Sequence, residues 1–187
     1  MIARTLLLAA ALANAQDAVS PFTQLQSAVE PADRIRACSE LARRPHRGPQ
    51  AYQALIASMN NDLSERVRLA AAVAVITFPG GQTLGLIDSF LKTEPGAAVR
   101  RELLIALSTE PAHFENPDAT RIIVYSLTDD QSVEVRRGAA AALGLRADAL
   151  ALGAVGRASE NDKDKGVREE ARRAMLILSK PPKPKPK

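Results

Sequence analysis

The chain has 187 residues, 3% of them aromatic, with no tryptophan and one cysteine, so it cannot form an internal disulfide and must build its core from Ala, Leu, Val and Ile. The formal net charge is +4, but five of the 25 basic residues lie in the first 15 and last eight positions, which leaves residues 16–179 with 20 basic and 21 acidic residues. A body with a net charge of −1 argues against nucleic-acid binding, which requires a basic surface.

The first segment has the features of a secretory signal peptide. Arg4 precedes an apolar run from Leu6 to Ala13, and Ala13 and Ala15 form a small-x-small cleavage site. The run of about eight residues is far shorter than the roughly 20 that span a bilayer, so we expect no transmembrane segment. Cleavage after Ala15 predicts a periplasmic or secreted protein of 172 residues, one domain by length. The alternative is an apolar N-terminus on a cytoplasmic protein.

A motif of fixed internal spacing recurs five times in the rest of the chain. It contains an acid, four residues, an aliphatic residue, an arginine, five residues and an alanine. The aliphatic residues are 32, 32, 36 and 32 positions apart. Such a period predicts stacked repeats, which usually offer a surface for binding rather than a pocket for chemistry. The copies are Glu30…Ile35-Arg36…Ala42, Asp62…Val67-Arg68…Ala74, Glu94…Val99-Arg100…Ala106, Asp130…Val135-Arg136…Ala142 and Asp162…Val167-Arg168…Ala174.

Each copy predicts the second helix of a helical hairpin. With the aliphatic residue as position zero, positions 0, 4, 7, 8 and 11 share one side of a helix, and they are mostly apolar. The acid at position −5 is expected to cap the start of this helix. The alanine at position 7 indicates a close approach between helices. A second apolar segment precedes each copy, so we predict five hairpins over about residues 20–45, 46–79, 80–111, 112–146 and 147–179.

The pattern Asp…Val-Arg-x-x-Ala-x-x-Ala-Leu resembles the HEAT repeat, most closely the short HEAT-like units of bacterial proteins and phycobilin lyases. The resemblance covers about residues 20–179 and implies an all-α fold, a right-handed α–α solenoid of about five HEAT-like hairpins. It also implies a ladder between the motif arginines and the acids of the same or adjacent units. Partly exposed pairs contribute about 0–1 kcal/mol each, so we interpret the ladder as setting the stacking register. Its predicted members are Arg36, Arg68, Arg100, Arg136 and Arg168 with Glu30, Asp62, Glu94, Asp130 and Asp162.

The same resemblance implies that the second helices line the concave face of the solenoid. Positions 2, 5, 6 and 9 are mainly apolar in the middle units, where a solvated helix would be polar. An exposed apolar groove would bind an amphipathic helix or an extended peptide. Alternatively, tight curvature or a homodimer covers these residues. The candidate groove residues are Leu69, Val73, Ile76, Arg101, Leu104, Ile105, Arg137, Ala140 and Ala141.

Two basic segments lie outside the motif. Arg43, Arg44 and Arg47 form a cluster that could bind an anion, or simply be a solvated loop. Residues 180–187 form a Lys/Pro tail, which we expect to be extended. The tail could contact an anionic envelope surface or act only as a solubilising end.

The sequence offers little for catalysis or for cofactor binding. It has two histidines and one cysteine, Cys38, which we interpret as a small core residue. No zinc set, P-loop, dinucleotide fingerprint or nucleophile elbow is present. We therefore predict a non-enzymatic adaptor of the cell envelope that binds a protein or peptide along the concave face and needs no cofactor. The alternatives are a phycobilin-lyase-like or other enzyme-associated protein, and a structural envelope protein held by its cationic tail.

Overall fold

The computed structural model describes residues 19–43 and 46–179 and is helical throughout these ranges, with no strand. The all-α solenoid prediction is confirmed. The predicted signal peptide and the Lys/Pro tail lie outside the described residues. The helices are α1 (Pro21–Ser27), α2 (Pro31–Leu41), α3 (Pro49–Asn61), α4 (Glu65–Ile76), α5 (Gly81–Thr93), α6 (Ala97–Thr109), α7 (Pro117–Asp129), α8 (Val133–Arg146), α9 (Leu152–Asn161) and α10 (Lys165–Leu178).

Proline begins four of these helices. Pro21, Pro31, Pro49 and Pro117 are the first residues of α1, α2, α3 and α7. A proline at the first helical position loses no hydrogen bond and has the right φ angle already. Two short 3₁₀ turns, Pro111–His113 and Ala149–Ala151, lead into α7 and α9.

Each odd-numbered helix and the even-numbered helix after it form one unit, and the five units are stacked in chain order. The even-numbered second helices pack against one another in sequence, α2 on α4, α4 on α6, α6 on α8 and α8 on α10. They do so more extensively than the odd-numbered helices, so they form the shorter, inner row of the stack. One continuous hydrophobic cluster runs from Leu25 to Ala174.

The second helices of units two to four bury the same three motif positions. Positions 0, 4 and 8 are at most 3% exposed and belong to the continuous hydrophobic cluster. Cys38 in α2 is also fully buried, as the sequence predicted for a core residue. The residues at these positions are Val67, Ala71, Val75, Val99, Leu103, Leu107, Val135, Ala139 and Leu143.

Small side chains let neighbouring second helices come close together. A Cβ atom built on Gly144 of α8 would lie 3.3 Å from both Cα and Cβ of Ala174 in α10. Ala174 is the position-7 alanine of unit five and is 2% exposed. A larger residue at either site would overpack the contact and push the two helices apart.

Candidate functional site

Four arginines, one in each of the helices α2, α4, α6 and α8, connect a unit to the next one. In every case Nε and Nη2 bind the two oxygens of one carboxylate, which is the strongest geometry for such a pair. The distances from Nε and from Nη2 to the carboxylate oxygens are 2.8 and 3.0 Å for Arg34–Asp62 and 2.7 and 2.8 Å for Arg68–Glu94. They are 2.8 and 2.9 Å for Arg100–Asp130, and 2.8 and 3.1 Å for Arg136–Asp162. We call this series the arginine–acid ladder.

The third nitrogen of each arginine is bonded within its own unit. Nη1 of Arg68 donates to the carbonyl oxygens of Asp62 and Leu63, at 3.0 and 3.4 Å. Arg34, Arg100 and Arg136 make the equivalent bonds to the carbonyls six and five residues earlier. Each guanidinium therefore ties the turn of its own hairpin to the turn of the next one, and this fixes the order and register of the stack.

The ladder acids end the first helices. The sequence pattern predicted them at the start of the second helices, and that prediction was wrong. Asp62, Glu94, Asp130 and Asp162 are the C-cap residues of α3, α5, α7 and α9. Each carboxylate also accepts the backbone N–H two residues later, at 2.8 to 2.9 Å. The acids therefore shape the turn within a hairpin while they bind the arginine of the preceding unit.

The ladder is more deeply buried than the sequence suggested. The arginine side chains are 13–16% exposed and the acid side chains 1–13%. Burial alone would raise the pKa values of the Asp62, Glu94 and Asp162 carboxyls, but the arginine and backbone hydrogen bonds outweigh it and the pKa values are lowered. The same hydrogen bonds raise the pKa values of the four arginines against the effect of burial. These pairs are therefore not the weak, solvated kind.

Unit one enters the ladder through a different arginine from the predicted one. Arg34 binds Asp62, whereas Arg36 is exposed and pairs with Asp33 at 3.3 Å. Glu30 is the N-cap residue of α2 and makes no side-chain capping bond. Arg34 Nη1 binds the carbonyl of Ala28, so Ala28 occupies the place that the acids hold in the other units. The motif match at Ile35-Arg36 was therefore two residues out of register.

Arg168 at the other end of the ladder keeps only half of the pattern. Its Nη1 donates to the carbonyls of Asp162 and Lys163, at 2.6 and 3.1 Å, as in the other units. Within residues 19–43 and 46–179, no carboxylate lies within ion-pair distance of Arg168.

The candidate groove residues separate into two groups. Ile76, Leu104 and Ala140 are at most 1% exposed, so they belong to the interior and cannot line an open groove. Arg137 is exposed, Val73 is 37% exposed, and the others are half-buried. We call the surface formed by positions 2 and 6 the inner face; it consists of Leu69, Val73, Arg101, Ile105, Arg137 and Ala141.

An open depression of about 750 Å³ lies on the inner face between α6, α8 and α10. Ile105 and Ala141 give it apolar surface beside Arg101 and Arg137, and Glu134, Asp164 and Glu170 line it as well. Arg101 is held by Glu134, at 2.7 Å, and by Glu102. A Cβ on Gly138 would collide with Cγ of Arg101, so the glycine lets this side chain lie across α8. The depression therefore combines apolar surface with positioned charge.

The structure does not present the basic cluster before α3 as one open anion site. Arg47 donates to the carbonyl of Thr77, and its guanidinium lies 4.7 Å from the centre of the Phe78 ring. Arg43 is exposed, and Arg44 lies outside the described residues. Arg47 therefore fastens the start of α3 to the end of α4.

A buried arginine that no sequence pattern singled out holds the loop of the fourth unit. Arg146, at the end of α8, is 2% exposed and donates to the carbonyls of His113, Phe114 and Asn116 at 2.7 to 2.8 Å. Its Nε donates to Thr120, at 2.6 Å. Burial lowers the pKa of Arg146, although Asp148 partly compensates. Arg146 therefore orders the loop between α6 and α7.

The described residues contain no group of three or more His, Cys, Asp or Glu side chains placed to hold a metal ion. None of the described helices is both long and apolar enough to cross a membrane.

Comparison with known proteins identifies the repeat. A family model for HEAT repeats matches residues 84–176, about half of the chain, from α5 to the last turns of α10. No curated protein matches the sequence.

Proposed function

Because this chain is a HEAT-repeat protein, we propose that it is a non-enzymatic adaptor that binds another protein along the inner face of its stack. HEAT repeats are commonly protein-interaction scaffolds, and the family is generally non-enzymatic. The depression between α6, α8 and α10 carries the proposal, because it is the part of the inner face where apolar and charged groups meet in the open.

The chemistry of the depression indicates what it would bind. Ile105 and Ala141 offer apolar contact, and Val73, at the equivalent position 6 of unit two, is 37% exposed. Arg137 is exposed and has no carboxylate within ion-pair distance among the described residues, so it is available to an acid of the partner. An amphipathic helix or extended peptide with apolar side chains and at least one carboxylate fits this surface.

A cross-linking experiment in the native host tests where the partner binds. A photoreactive residue at Val73 or Ala141 should form a covalent adduct with one defined protein. The same residue at the exposed Ser89 of α5, on the outer row, should not. If Val73 and Ala141 cross-link only to a second copy of this chain, the inner face is a homodimer interface and the adaptor proposal is wrong.

Charge reversal then measures the contribution of the inner face with the purified pair. Arg137→Glu should weaken binding at least about tenfold, as expected for a central interface arginine. Arg121→Glu is the matched control, because Arg121 lies on α7 of the same unit and its side chain is 70% exposed. Equal losses for the two variants would place the binding site elsewhere.

We further propose that the protein acts outside the cytoplasm after cleavage at Ala15. The support is the sequence of the first 15 residues, with Arg4, a short apolar run and a small-x-small site. Mass spectrometry of the protein purified from its native host should find Gln16 at the N-terminus. Intact Met1 or Ile2 would contradict export by this route.

A further inference from the structure

One stripe of each second helix faces the following unit. It consists of positions 1, 5 and 9, one turn apart, and position 1 is the ladder arginine. In α4, α6 and α8, positions 5 and 9 are buried, and Gly144, at position 9 of α8, packs against Ala174 of the following unit. The three stripes are Arg68, Ala72, Ile76; Arg100, Leu104, Ser108; and Arg136, Ala140, Gly144.

The corresponding stripe of α10 is open among the described residues. It consists of Arg168, Arg172 and Leu176, which we call the end stripe. Arg172 is exposed and Leu176 is 67% exposed. The neighbouring Arg173 is bound to Glu170, at 3.0 Å, and so is not part of this surface.

We propose that the end stripe is a docking site for an acidic segment of a partner protein, with one carboxylate bound by Arg168. This surface is separate from the inner face, so the proposal does not depend on the function proposed above.

Arg168 is already arranged to receive a carboxylate. Its Nη1 makes the same two carbonyl bonds that orient Arg34, Arg68, Arg100 and Arg136. In those four arginines Nε and Nη2 each bind a carboxylate oxygen, at 2.7 to 3.1 Å. Because the guanidinium of Arg168 is held in advance, little side-chain freedom remains to be lost on binding.

The second residue of the stripe defines the chemistry of the partner. Arg172 stands where the inner units have Ala72, Leu104 and Ala140. Covering it with another apolar hairpin would bury an unpaired charge, which is strongly unfavourable. A segment with two carboxylates about one helical turn apart would satisfy Arg168 and Arg172, and an apolar side chain would cover Leu176.

A second copy of this chain does not supply that chemistry in head-to-tail stacking. Unit one, the opposite end of the described stack, has Ala28 at the position that carries the acid in the other units. The ladder pattern would therefore leave Arg168 without a carboxylate. The partner is an acidic segment of a different protein.

A peptide from the chain itself provides a defined probe. Residues 125–135 contain Asp129, Asp130 and Glu134 and no basic residue, and Asp130 is the acid that Arg100 binds in the folded protein. The capped peptide, with a fluorescent label, would be titrated with the full chain at low salt. We expect saturable binding that weakens at least about tenfold in Arg168→Gln, which removes the charge-assisted hydrogen bonds.

Three controls make the result specific. Arg168→Lys should weaken binding nearly as much, because lysine keeps the charge but cannot bind both oxygens. A peptide with Asp130→Asn should bind the unaltered chain weakly. Its affinity for the Arg168→Gln variant should be only slightly lower, because the contact between Asp130 and Arg168 is already lost. Arg172→Glu, at an exposed site that does not threaten folding, should also weaken binding, whereas Arg137→Glu on the inner face should not.

Several outcomes would overturn the proposal. These are no binding of the peptide, equal binding by Arg168→Gln in a variant with native circular dichroism, or a loss caused by Arg137→Glu instead. Association of the chain with itself, abolished by Arg168→Gln in sedimentation analysis, would identify a second copy as the occupant. None of these outcomes would contradict the proposal that a partner binds along the inner face.

Discussion

At the scale of single residues, Glu94 is the most deeply buried acid of the ladder. Its side chain is 1% exposed and receives hydrogen bonds from Nε and Nη2 of Arg68 and from the N–H of Gly96. Glu94→Gln preserves the shape but places an amide NH₂ group against donors. Breaking a buried pair in this way costs about 3 kcal/mol or more, so we expect the free energy of unfolding to fall by about that amount in urea titrations.

The matched control for this prediction is Glu102→Gln in α6. Glu102 also pairs with an arginine, Arg101, but its side chain is 46% exposed. Its loss should change stability by less than about 0.5 kcal/mol. Equal effects of the two substitutions would mean that the ladder is no stronger than a surface pair.

The pH dependence of stability follows from the same carboxyl groups. The pKa values of Asp62, Glu94 and Asp162 are lower in the folded protein than their ordinary values of 3.8, 4.5 and 3.8. Their contribution is therefore complete above about pH 5 and is lost as the pH falls through the folded-state pKa values. In urea titrations at decreasing pH, Glu94→Gln should lose less stability below pH 5 than the unaltered chain.

At the scale of elements, the sequence predicted the second helices of units two to five well. Their period, the buried positions 0 and 4 and the position-7 alanine follow from close helix packing, which leaves a strong local pattern. The ladder arginines of these units were also recognisable, because each precedes the same apolar spacing. The helix starts were placed too early, because the acids were interpreted as N-caps whereas they end the first helices.

Unit one and the fourth-unit loop were harder to predict for physical reasons. No described unit precedes Ala28, so no arginine selects an acid there, and Glu30 completed a false match with Arg36. Arg146 binds backbone carbonyl groups of His113, Phe114 and Asn116 in a distant loop. Every residue has a backbone carbonyl, so the residue types in the loop do not indicate this contact.

The inner face shows where a helical wheel fails in a stack. Positions 2, 5, 6 and 9 share one side of an isolated helix, but the next hairpin covers positions 5 and 9. Ile76, Leu104 and Ala140 are buried for this reason, whereas Val73 at position 6 stays 37% exposed. The packing of the neighbouring unit distinguishes the buried positions 5 and 9 from the partly exposed positions 2 and 6, and a single helix does not contain that information.

At the scale of the whole molecule, the described stack is a one-dimensional series of units. Each unit is joined to the next by its packed second helices and by one arginine–acid pair. In such an array stability is a sum of unit terms and nearest-neighbour terms. Damage at one junction should therefore loosen the two units beside it and leave distant units nearly unchanged.

Native-state hydrogen exchange of the Glu94→Gln variant, followed by mass spectrometry, tests this claim most directly. Glu94 joins units two and three. We expect faster exchange in residues 49–76 and 81–109, with little change in residues 152–178. A uniform increase over all ten described helices would contradict it, because it would show one cooperative bundle in which no junction has a local role.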